Sequence, residues 1–331
     1  MLEAGTIRRV RQTMLATSLA RGALCAWEVS PEKLDAAFDF MFREDPFSGH
    51  VVIRTTDAVS AGSTYRLWTT LKVPQGFSLP KHAEWLRGQV GAQRVKLMPA
   101  KMLFALGVGH VRRRGLEPGA RAAEPATPIG TALVELSDLQ WRVLIALKRE
   151  FRVDEIVRDL WDARAREAGV DVGTFLEIAR ELQARGVVGR FSTFLEHVKA
   201  TAGNERATRY NALFHWAVPR GSEIQAGCEV GRHYVITHAY WREGGPEFHG
   251  VNVMAVAHGM EKPVVLAHKA AIDEHLRAAG IPFSYTNVFW GGRSEIKPSE
   301  IAPGAYRDFC KQRGIDPETM QTGPDEERAS A

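Results

Sequence analysis

The sequence is poor in the features that mark disulfide-rich, metal-binding or membrane proteins. Its three cysteines, Cys25, Cys228 and Cys310, are odd in number, far apart and never in a Cys-x-x-Cys pair. This pattern predicts buried thiols in a reducing compartment and neither a disulfide framework nor a resident metal site. No apolar run is long enough to span a bilayer, and the first residues lack the pattern of a signal peptide. We therefore expect a cytoplasmic protein without membrane contact.

Charge of neither sign dominates the composition. The 331 residues are 45% hydrophobic and 25% charged, and the formal net charge is +4. Such a chain is long enough for two or three domains. Its mildly basic balance suits a polyanionic small ligand as well as it suits nucleic acid.

Two consecutive stretches predict paired strands with polar side chains on one face. Residues 234–242 and 251–259 are rich in β-branched and aromatic residues and flank a turn of glycine and proline. Side chains alternate faces along a strand, so each stretch should present four residues on one face. These are Ile236, His238, Tyr240 and Arg242 in the first stretch, and Asn252, Met254, Val256 and His258 in the second. Imidazole, phenol and guanidinium groups on one surface suit proton transfer beside a bound carboxylate.

Residues 1–115 predict a unit that residues 191–315 repeat. The first copy has the order β-α-β-β-α-β, which is typical of a ferredoxin-like fold. In the second copy, Trp216 stands where Trp27 stood, and the segment from His238 to Arg242 stands where His50 to Arg54 stood. The sequence therefore predicts an α+β protein that contains two copies of one ferredoxin-like unit.

A helical module lies between the two copies. Residues 116–135 are a linker rich in alanine, proline and glycine, and residues 136–190 predict three helices and a strand, the pattern of a winged helix-turn-helix. A last helix that binds DNA usually carries a basic surplus, but this one is nearly neutral. We therefore prefer a role in packing or dimerisation to DNA binding. Residues 316–331 are predicted to be a polar tail.

The order and spacing of several motifs resemble those of the siroheme decarboxylases, which are built like Lrp/AsnC regulators and pair two related halves, sometimes fused. The motifs of the first half are Gly5-Thr-Ile-Arg-Arg9, Pro31-Glu-Lys-Leu34, Leu67-Trp68 with Thr70-Leu71, and Leu97-Met-Pro-Ala-Lys101. Those of the second half are Gly189-Arg-Phe191, His197, Lys199, Tyr210-Asn-Ala212, Trp216, Thr237-His-Ala-Tyr240, Arg242, Asn252, His258-Gly259 and Ser294-Glu-Ile-Lys297.

The resemblance implies a substrate and a reaction. The substrate is siroheme, an iron tetrapyrrole with many carboxylates, and two of its acetate side chains lose carbon dioxide to give 12,18-didecarboxysiroheme. No cofactor beyond this iron tetrapyrrole is needed if the macrocycle accepts the developing negative charge. The expected partners are siroheme, its product, and either further copies of the chain or a partner paralogue.

Residue roles follow from the same resemblance. His238 and His258 are the expected catalytic proton donors, and Arg242 would orient the leaving carboxylate. The expected substrate-binding residues are His50, Arg54, Tyr240, Arg9, Asn252, Arg293 and Lys297. Trp27, Trp68, Met254 and Phe289 are candidates for the apolar walls. Either catalytic histidine could instead ligate the iron. His82, His268 and His275 are expected to be structural, and His197 and His215 are undecided.

The chain also departs from the family pattern. Val52, Arg66, Ala239 and the pair Gly250-Val251 replace residues that the family usually has. Two other hypotheses therefore stay open: a haem- or tetrapyrrole-responsive regulator of the Lrp/AsnC type, and a non-catalytic paralogue that binds tetrapyrrole.

Overall fold

The computed structural model describes residues 7–14, 18–57, 59–106, 115–195, 208–324 and 326. The strands are β1 (Ile7–Met14), β2 (Ala20–Glu28), β3 (Ser48–Thr56), β4 (Tyr65–Pro74), β5 (Arg94–Pro99), β6 (Met102–Leu106), β7 (Val188–Leu195), β8 (Tyr210–Ala217), β9 (Ile236–Trp241), β10 (Val253–Gly259) and β11 (Tyr285–Ile296). The helices are α1 (Leu34–Arg43), α2 (Leu79–Val90), α3 (Asp138–Lys148), α4 (Asp162–Ala168), α5 (Val172–Ala184), α6 (Glu223–Gly231), α7 (Lys262–Ala278) and α8 (Pro303–Gln312). None of these helices has the length and apolar character needed to cross a membrane.

A nine-stranded antiparallel sheet dominates this mixed α/β fold. Its strand order is β5-β2-β4-β3-β11-β8-β10-β9-β6. The two end strands, β5 and β6, are separated in the chain only by Ala100 and Lys101. The Lys101 amide also donates to the Trp241 carbonyl of β9 at 2.9 Å. The ends of the sheet therefore meet, and the sheet closes into a barrel-like ring.

The ring consists of two runs of strands with the same relative order. The first run, β5-β2-β4-β3, has α1 and α2 in its chain connections, and the second, β11-β8-β10-β9, has α6 and α7 in the equivalent places. The runs join where β11 pairs with β3 and where β6 pairs with β9. Each run therefore contributes one half of the wall around a shared interior.

Alternating side chains give the sheet an outer and an inner face. On the outer face of the first run, Trp27 and Leu67 pack with the helix residues Phe38 and Leu86. On that of the second run, Trp216 packs with Ile272 of α7. The inner face has a separate buried cluster drawn from both runs: Ala26, Val52, Tyr65, Trp68, Met98, Leu213, Ala217, Phe248, Val251, Met254 and Phe289.

The helices of the module pack in a separate buried cluster, to which Leu19, Ala20 and Ile301 from outside the module also contribute. Two of these helices have side-chain caps. The Ser137 hydroxyl accepts from the Gln140 amide at 3.3 Å ahead of α3, and Asp171 accepts from the Thr174 amide at 3.0 Å ahead of α5. The described residues of the module contain three α-helices, α3, α4 and α5, followed by β7. Strand β7 pairs with β1 and not with the nine-stranded sheet.

Candidate functional site

A stack of three side chains runs along the inner face of β9. The rings of His238 and Tyr240 are parallel within 12°, with centroids 6.3 Å apart, and Arg242 Cζ lies 4.4 Å from the centre of the Tyr240 ring. Tyr240 is directly opposite Met254 of the inner cluster, so the stack faces the interior. The alternation in the sequence predicted this shared face for His238, Tyr240 and Arg242.

Ile236 is not part of this face, so its predicted placement beside His238 was wrong. The register between β9 and β10 shifts there, because His238 is opposite Val256 whereas Ile236 is opposite Ala257. The extra residue is Thr237, whose hydroxyl donates to the Val256 carbonyl at 3.1 Å and lies 3.0 Å from His238 Nδ1. Such a bulge turns the preceding side chain to the opposite face, and Ile236 packs under the helices.

His258 belongs to a row of residues that crosses four strands. Arg54 of β3 is opposite Gly291, Gly291 is opposite Asn211, and Asn211 is opposite His258. Arg54 Nη1 donates to Asn211 Oδ1 at 3.1 Å. Because Val256 stands opposite His238, His258 is also the diagonal neighbour of His238, at about 7–8 Å between Cα atoms. The two imidazoles therefore face one region of the interior.

Arg54 and Arg242 are buried guanidinium groups whose acceptors in the described part of the chain are uncharged. They are 4% and 8% exposed. Arg54 Nη1 also donates to the Phe289 carbonyl at 3.3 Å, and Arg242 Nη1 donates to the Met98 carbonyl of β5. Burial lowers the pKa of Arg54 to about 9 and also lowers the pKa of Arg242, yet both remain charged at neutral pH. In the described ranges, neither forms an ion pair with a carboxylate.

His50 occupies the same place in the first run that His238 occupies in the second. His50 is opposite Thr70 across β3 and β4, as His238 is opposite Val256 across β9 and β10. Its Nε2 lies 2.8 Å from the Ser294 hydroxyl oxygen. In chain order, β3 is the second strand of the first run and β9 is the second strand of the second run. Each of these strands thus contributes one imidazole to the interior, and an arginine follows it four residues later.

Four predicted substrate-binding residues make their contacts elsewhere. Arg9 pairs with Glu150 at 3.1 Å, and Arg293 grips Asp35 and Asp39 of α1 at 2.7 and 2.8 Å. The Lys297 ammonium donates to main-chain carbonyls, including that of Asp45 at 2.6 Å. The Asn252 side chain bonds both the amide and the carbonyl of Val218 at 2.9 Å. The structure does not bring these four side chains into the row or the stack.

The interior also contains polar residues to which the sequence analysis assigned no role. His215 is fully buried, neither of its ring nitrogens has a hydrogen-bond partner among the described residues, and its ring centroid is 5.0 Å from that of Phe289. Burial lowers its pKa to about 3, so it is neutral. Opposite it stands Asn287, whose amide nitrogen is equally unpaired among the described residues. Strand alternation from Trp68 would have placed Lys72 on this face, and alternation from His215 would have placed Asn211.

Some motif residues lie outside the described part of the chain, and two histidines that were expected to be structural make structural contacts. Gly5, Thr6, His197 and Lys199 fall outside the described ranges. His82 lies 3.0 Å from the Tyr306 hydroxyl oxygen and 3.2 Å from Asp45 Oδ1, and His275 lies 2.6 Å from Glu229 Oε2. Both occupy the structural roles predicted for them. The described residues include no group of three histidine, cysteine or acidic side chains placed to hold a metal ion.

Comparison with known proteins gives partial sequence matches. No protein-family model matches the chain. The chain is 28% identical over 120 residues to the siroheme decarboxylase NirH subunit of Stutzerimonas stutzeri, covering 35% of this chain and 66% of that protein. It is 30% identical over 78 residues to the siroheme decarboxylase beta subunit of Oleidesulfovibrio alaskensis, covering 24% of this chain and 46% of that protein. The chain thus spans less than two thirds of the length of each of these relatives.

Two crystal structures share the fold over nearly the whole chain. The siroheme decarboxylase NirDL aligns with a TM-score of 0.66 at 18% identity, over 95% of this chain and 85% of that one. NirDL in complex with an iron-uroporphyrin III analogue aligns with a TM-score of 0.64 at 18% identity, over 94% of this chain and 86% of that one. At this level of identity the likeness establishes a common fold.

Proposed function

The chain is a relative of the siroheme decarboxylases, and from this premise we propose that it is itself a siroheme decarboxylase. The interior of the ring would bind siroheme, and two of its acetate side chains would lose carbon dioxide to give 12,18-didecarboxysiroheme. The NirDL structure with an iron-uroporphyrin III analogue supports a tetrapyrrole as the class of ligand.

One observation carries the proposal: Arg54 and Arg242 are buried, charged and, among the described residues, without a carboxylate partner. A buried charge is costly unless an opposite charge compensates it. Guanidinium binds carboxylate through paired, charge-assisted hydrogen bonds. A ligand with several carboxylates would supply the missing charge, and Trp68, Phe289 and Met254, which are buried in the inner cluster, would line a flat macrocycle once it is bound.

The histidines of the same face would supply the proton that the reaction consumes. In the proposed step, the bond between the acetate methylene and its carboxylate breaks, carbon dioxide leaves, and the electron pair stays on the methylene carbon. A proton on that carbon completes a methyl group. Imidazole titrates near neutrality and is suited to this transfer. We assign the transfer to His238 and His258.

Arg242 is proposed to orient a carboxylate, with Tyr240 stacked beneath its guanidinium. Arg242 follows His238 by four residues, which is about 13 Å along a strand. His238 and Arg242 would therefore contact different substituents of one large ligand. Arg54 and His50 would contact the ligand from the first run. Asn252, Arg9, Arg293 and Lys297 are engaged elsewhere, and we propose that they support the wall without contacting the substrate.

The fold has a finer interpretation that we also propose. The order of the strands, β5-β2-β4-β3 and β11-β8-β10-β9, supports two ferredoxin-like units of the Lrp/AsnC type. The helices α3, α4 and α5 with the β1–β7 hairpin-like pair support a winged helix-turn-helix between them. Assembly with further copies or with a paralogue is part of the same proposal, since the curated relatives are named as subunits.

The contacts of α5 favour this enzyme over a DNA-binding regulator. Arg185 Nη2 donates to the Glu135 carbonyl at 2.6 Å, and Glu181 accepts from the Gln140 amide at 2.7 Å. Side chains near the end of the helix are therefore used to hold the module together. DNA readers keep such groups available for phosphates and bases.

The proposal is tested by anaerobic incubation of the purified chain with siroheme, followed by mass analysis of the tetrapyrrole. We expect products that lack one and then two units of carbon dioxide. Siroheme that binds but keeps its mass would exclude the enzyme and leave the non-catalytic paralogue. A salt-dependent mobility shift of promoter DNA, with no change in siroheme, would favour the regulator.

A further inference from the structure

Lys72 of β4 has its side chain on the interior of the ring. It is directly opposite Gly22 of β2. A Cβ atom built at Gly22 would lie 3.1 Å from Lys72 Cγ and 3.3 Å from Lys72 Nζ. The lysine chain therefore lies over Gly22, in space that a larger residue would fill. Its neighbours at strand spacing, Thr70 and Trp68, follow the inner face, and Trp68 belongs to the inner cluster.

In the first run, Lys72 holds the position that His258 holds in the second. His50 is opposite Thr70, and His238 is opposite Val256. Lys72 follows Thr70 by two residues, as His258 follows Val256 by two. Across the next strand, Lys72 is opposite Gly22, whereas His258 is opposite Asn211. The two runs therefore place different chemical groups at equivalent sites: an ammonium at one and an imidazole with an amide at the other.

The arginine of each run makes a hydrogen bond in the other run, near these sites. Arg54 of the first run donates to Asn211, the residue opposite His258. Arg242 of the second run donates to the carbonyl of Met98 in β5, and Met98 is opposite Leu24, two residues from Gly22 in β2. The pKa of Lys72 is lowered to about 8, chiefly by burial and also by the charge of Arg242. In the described ranges, Lys72 has no ion pair with a carboxylate.

Two neighbouring cations that have no counter-charge among the described residues point to an anionic occupant. We propose that Lys72 and Arg242 form a carboxylate-binding half-site inside the ring, opposite the half-site of Arg54, Asn211 and His258. This inference rests on the proposed function and adds to it an anchoring residue for an acid side chain of the tetrapyrrole. An ammonium that gains a carboxylate partner retains its proton, so the Lys72 half-site holds its carboxylate without releasing a proton to carbon.

The two half-sites would then have different roles, one in proton transfer and the other in orienting the ligand. Imidazole can give up and regain a proton near neutral pH, whereas an ammonium paired with a carboxylate does not. Reaction would take place beside His258 and His238, and the Lys72 end would fix the orientation of the macrocycle. A ligand with acid groups on opposite edges satisfies both ends at once.

The test is a spectroscopic titration with iron uroporphyrin III as the probe. The Lys72→Met variant should bind about ten- to hundred-fold more weakly than the natural chain, since a charge-assisted contact is lost. Lys72→Arg retains the charge and should bind more tightly than Lys72→Met. The matched control is Lys311→Met, which removes the same charge from the exposed face of α8 and should bind as the natural chain does.

A second measurement guards against a folding defect. Without ligand, Lys72→Met should melt at the same temperature as the natural chain or higher, because it relieves repulsion from Arg242. Equal affinity of Lys72→Met and the natural chain would overturn the half-site and leave the proposed decarboxylation intact. Lys72-dependent binding without any loss of carbon dioxide from siroheme would do the reverse. A natural chain that binds neither the probe nor siroheme would overturn both.

Discussion

Arg54 Nη1 donates to Asn211 Oδ1 at 3.1 Å across the seam between the two runs of strands. Gly291 stands between them in the row, and its missing side chain lets the guanidinium cross β11. The acceptors of Nη1, Asn211 and the Phe289 carbonyl, are uncharged. The contact therefore fixes the direction of the guanidinium while leaving its charge available to an anion.

Replacing Arg54 with methionine should weaken binding of iron uroporphyrin III by about ten- to hundred-fold, because one charge-assisted contact is lost. Methionine keeps an unbranched apolar side chain in place of the aliphatic part of arginine and removes only the guanidinium end, so the fold of the interior should be retained. The measurement is a titration followed by absorbance. Arg43→Met is the control, since Arg43 lies on the exposed end of α1. Equal affinities of the two variants would rule out a contact between Arg54 and the ligand.

Gly291→Ala tests whether the crossing matters. The new Cβ atom would lie 3.2 Å from Asn211 Cβ and 3.4 Å from Asn211 Cγ, so Asn211 must shift away from Arg54. We expect affinity for iron uroporphyrin III to fall about three- to thirty-fold, corresponding to the ~0.5–2 kcal/mol of one displaced hydrogen bond. Gly292→Ala is the neighbouring control, because its Cβ would meet only the Ile53 carbonyl at 3.4 Å. A larger effect at Gly292 than at Gly291 would contradict the assignment.

The stack on β9 could be predicted from the sequence because strand alternation is local. His238, Tyr240 and Arg242 follow one another at a spacing of two, and no bulge interrupts them. Ile236 could not be placed, since the bulge at Thr237 depends on the register with β10. The same rule places Lys72 on the inner face, but a lone lysine on a strand belongs to no motif, so the sequence alone does not distinguish it from a surface lysine.

Long-range partners set the limit of the sequence prediction. The sequence predicts a ligand-binding role for Arg293, but it does not reveal the ion pairs with Asp35 and Asp39, which lie more than 250 positions away in the chain. The same holds for the antiparallel pairing of β1 with β7, two strands that are about 180 residues apart in the chain. Composition and periodicity do not predict such long-range pairings. The capping of α3 by Ser137 can be predicted, because both residues of the contact lie within four positions of the sequence.

His238→Gln and His258→Gln should separate binding from turnover. Glutamine fills a similar space and can still form hydrogen bonds, but it cannot donate a proton to carbon at neutral pH. Loss of a general acid should slow decarboxylation by about 10²- to 10⁴-fold, with the affinity for siroheme changed little. Single-turnover product analysis and a siroheme titration measure the two effects. His275→Gln on the outer helix α7 is the control. A histidine whose loss abolishes siroheme binding would instead be acting as an iron ligand or an anchor.

His215 gives the folded protein a predictable sensitivity to acid. Its pKa is held at about 3 in the folded state by burial, against an ordinary value of 6.5. Between those values the unfolded chain takes up a proton that the folded chain refuses, so the free energy of unfolding falls as the pH drops below 6.5. The loss should reach about 2 kcal/mol at pH 5 relative to pH 7.5.

Leucine at position 215 should remove that loss. His215→Leu also eliminates two buried nitrogens that have no partner among the described residues, so the ligand-free variant should be at least as stable as the natural chain at pH 7.5. Denaturant unfolding at pH 7.5, 6.5, 5.5 and 5 measures both effects. The buried His233, with its pKa lowered to about 4, adds a slope of the same sign to both proteins, so the difference between them isolates His215. If the natural chain and His215→Leu lose stability equally as the pH falls, the His215 ring takes up a proton as readily in the folded state as in the unfolded state. The absence of a hydrogen-bond acceptor for this ring among the described residues argues against that outcome.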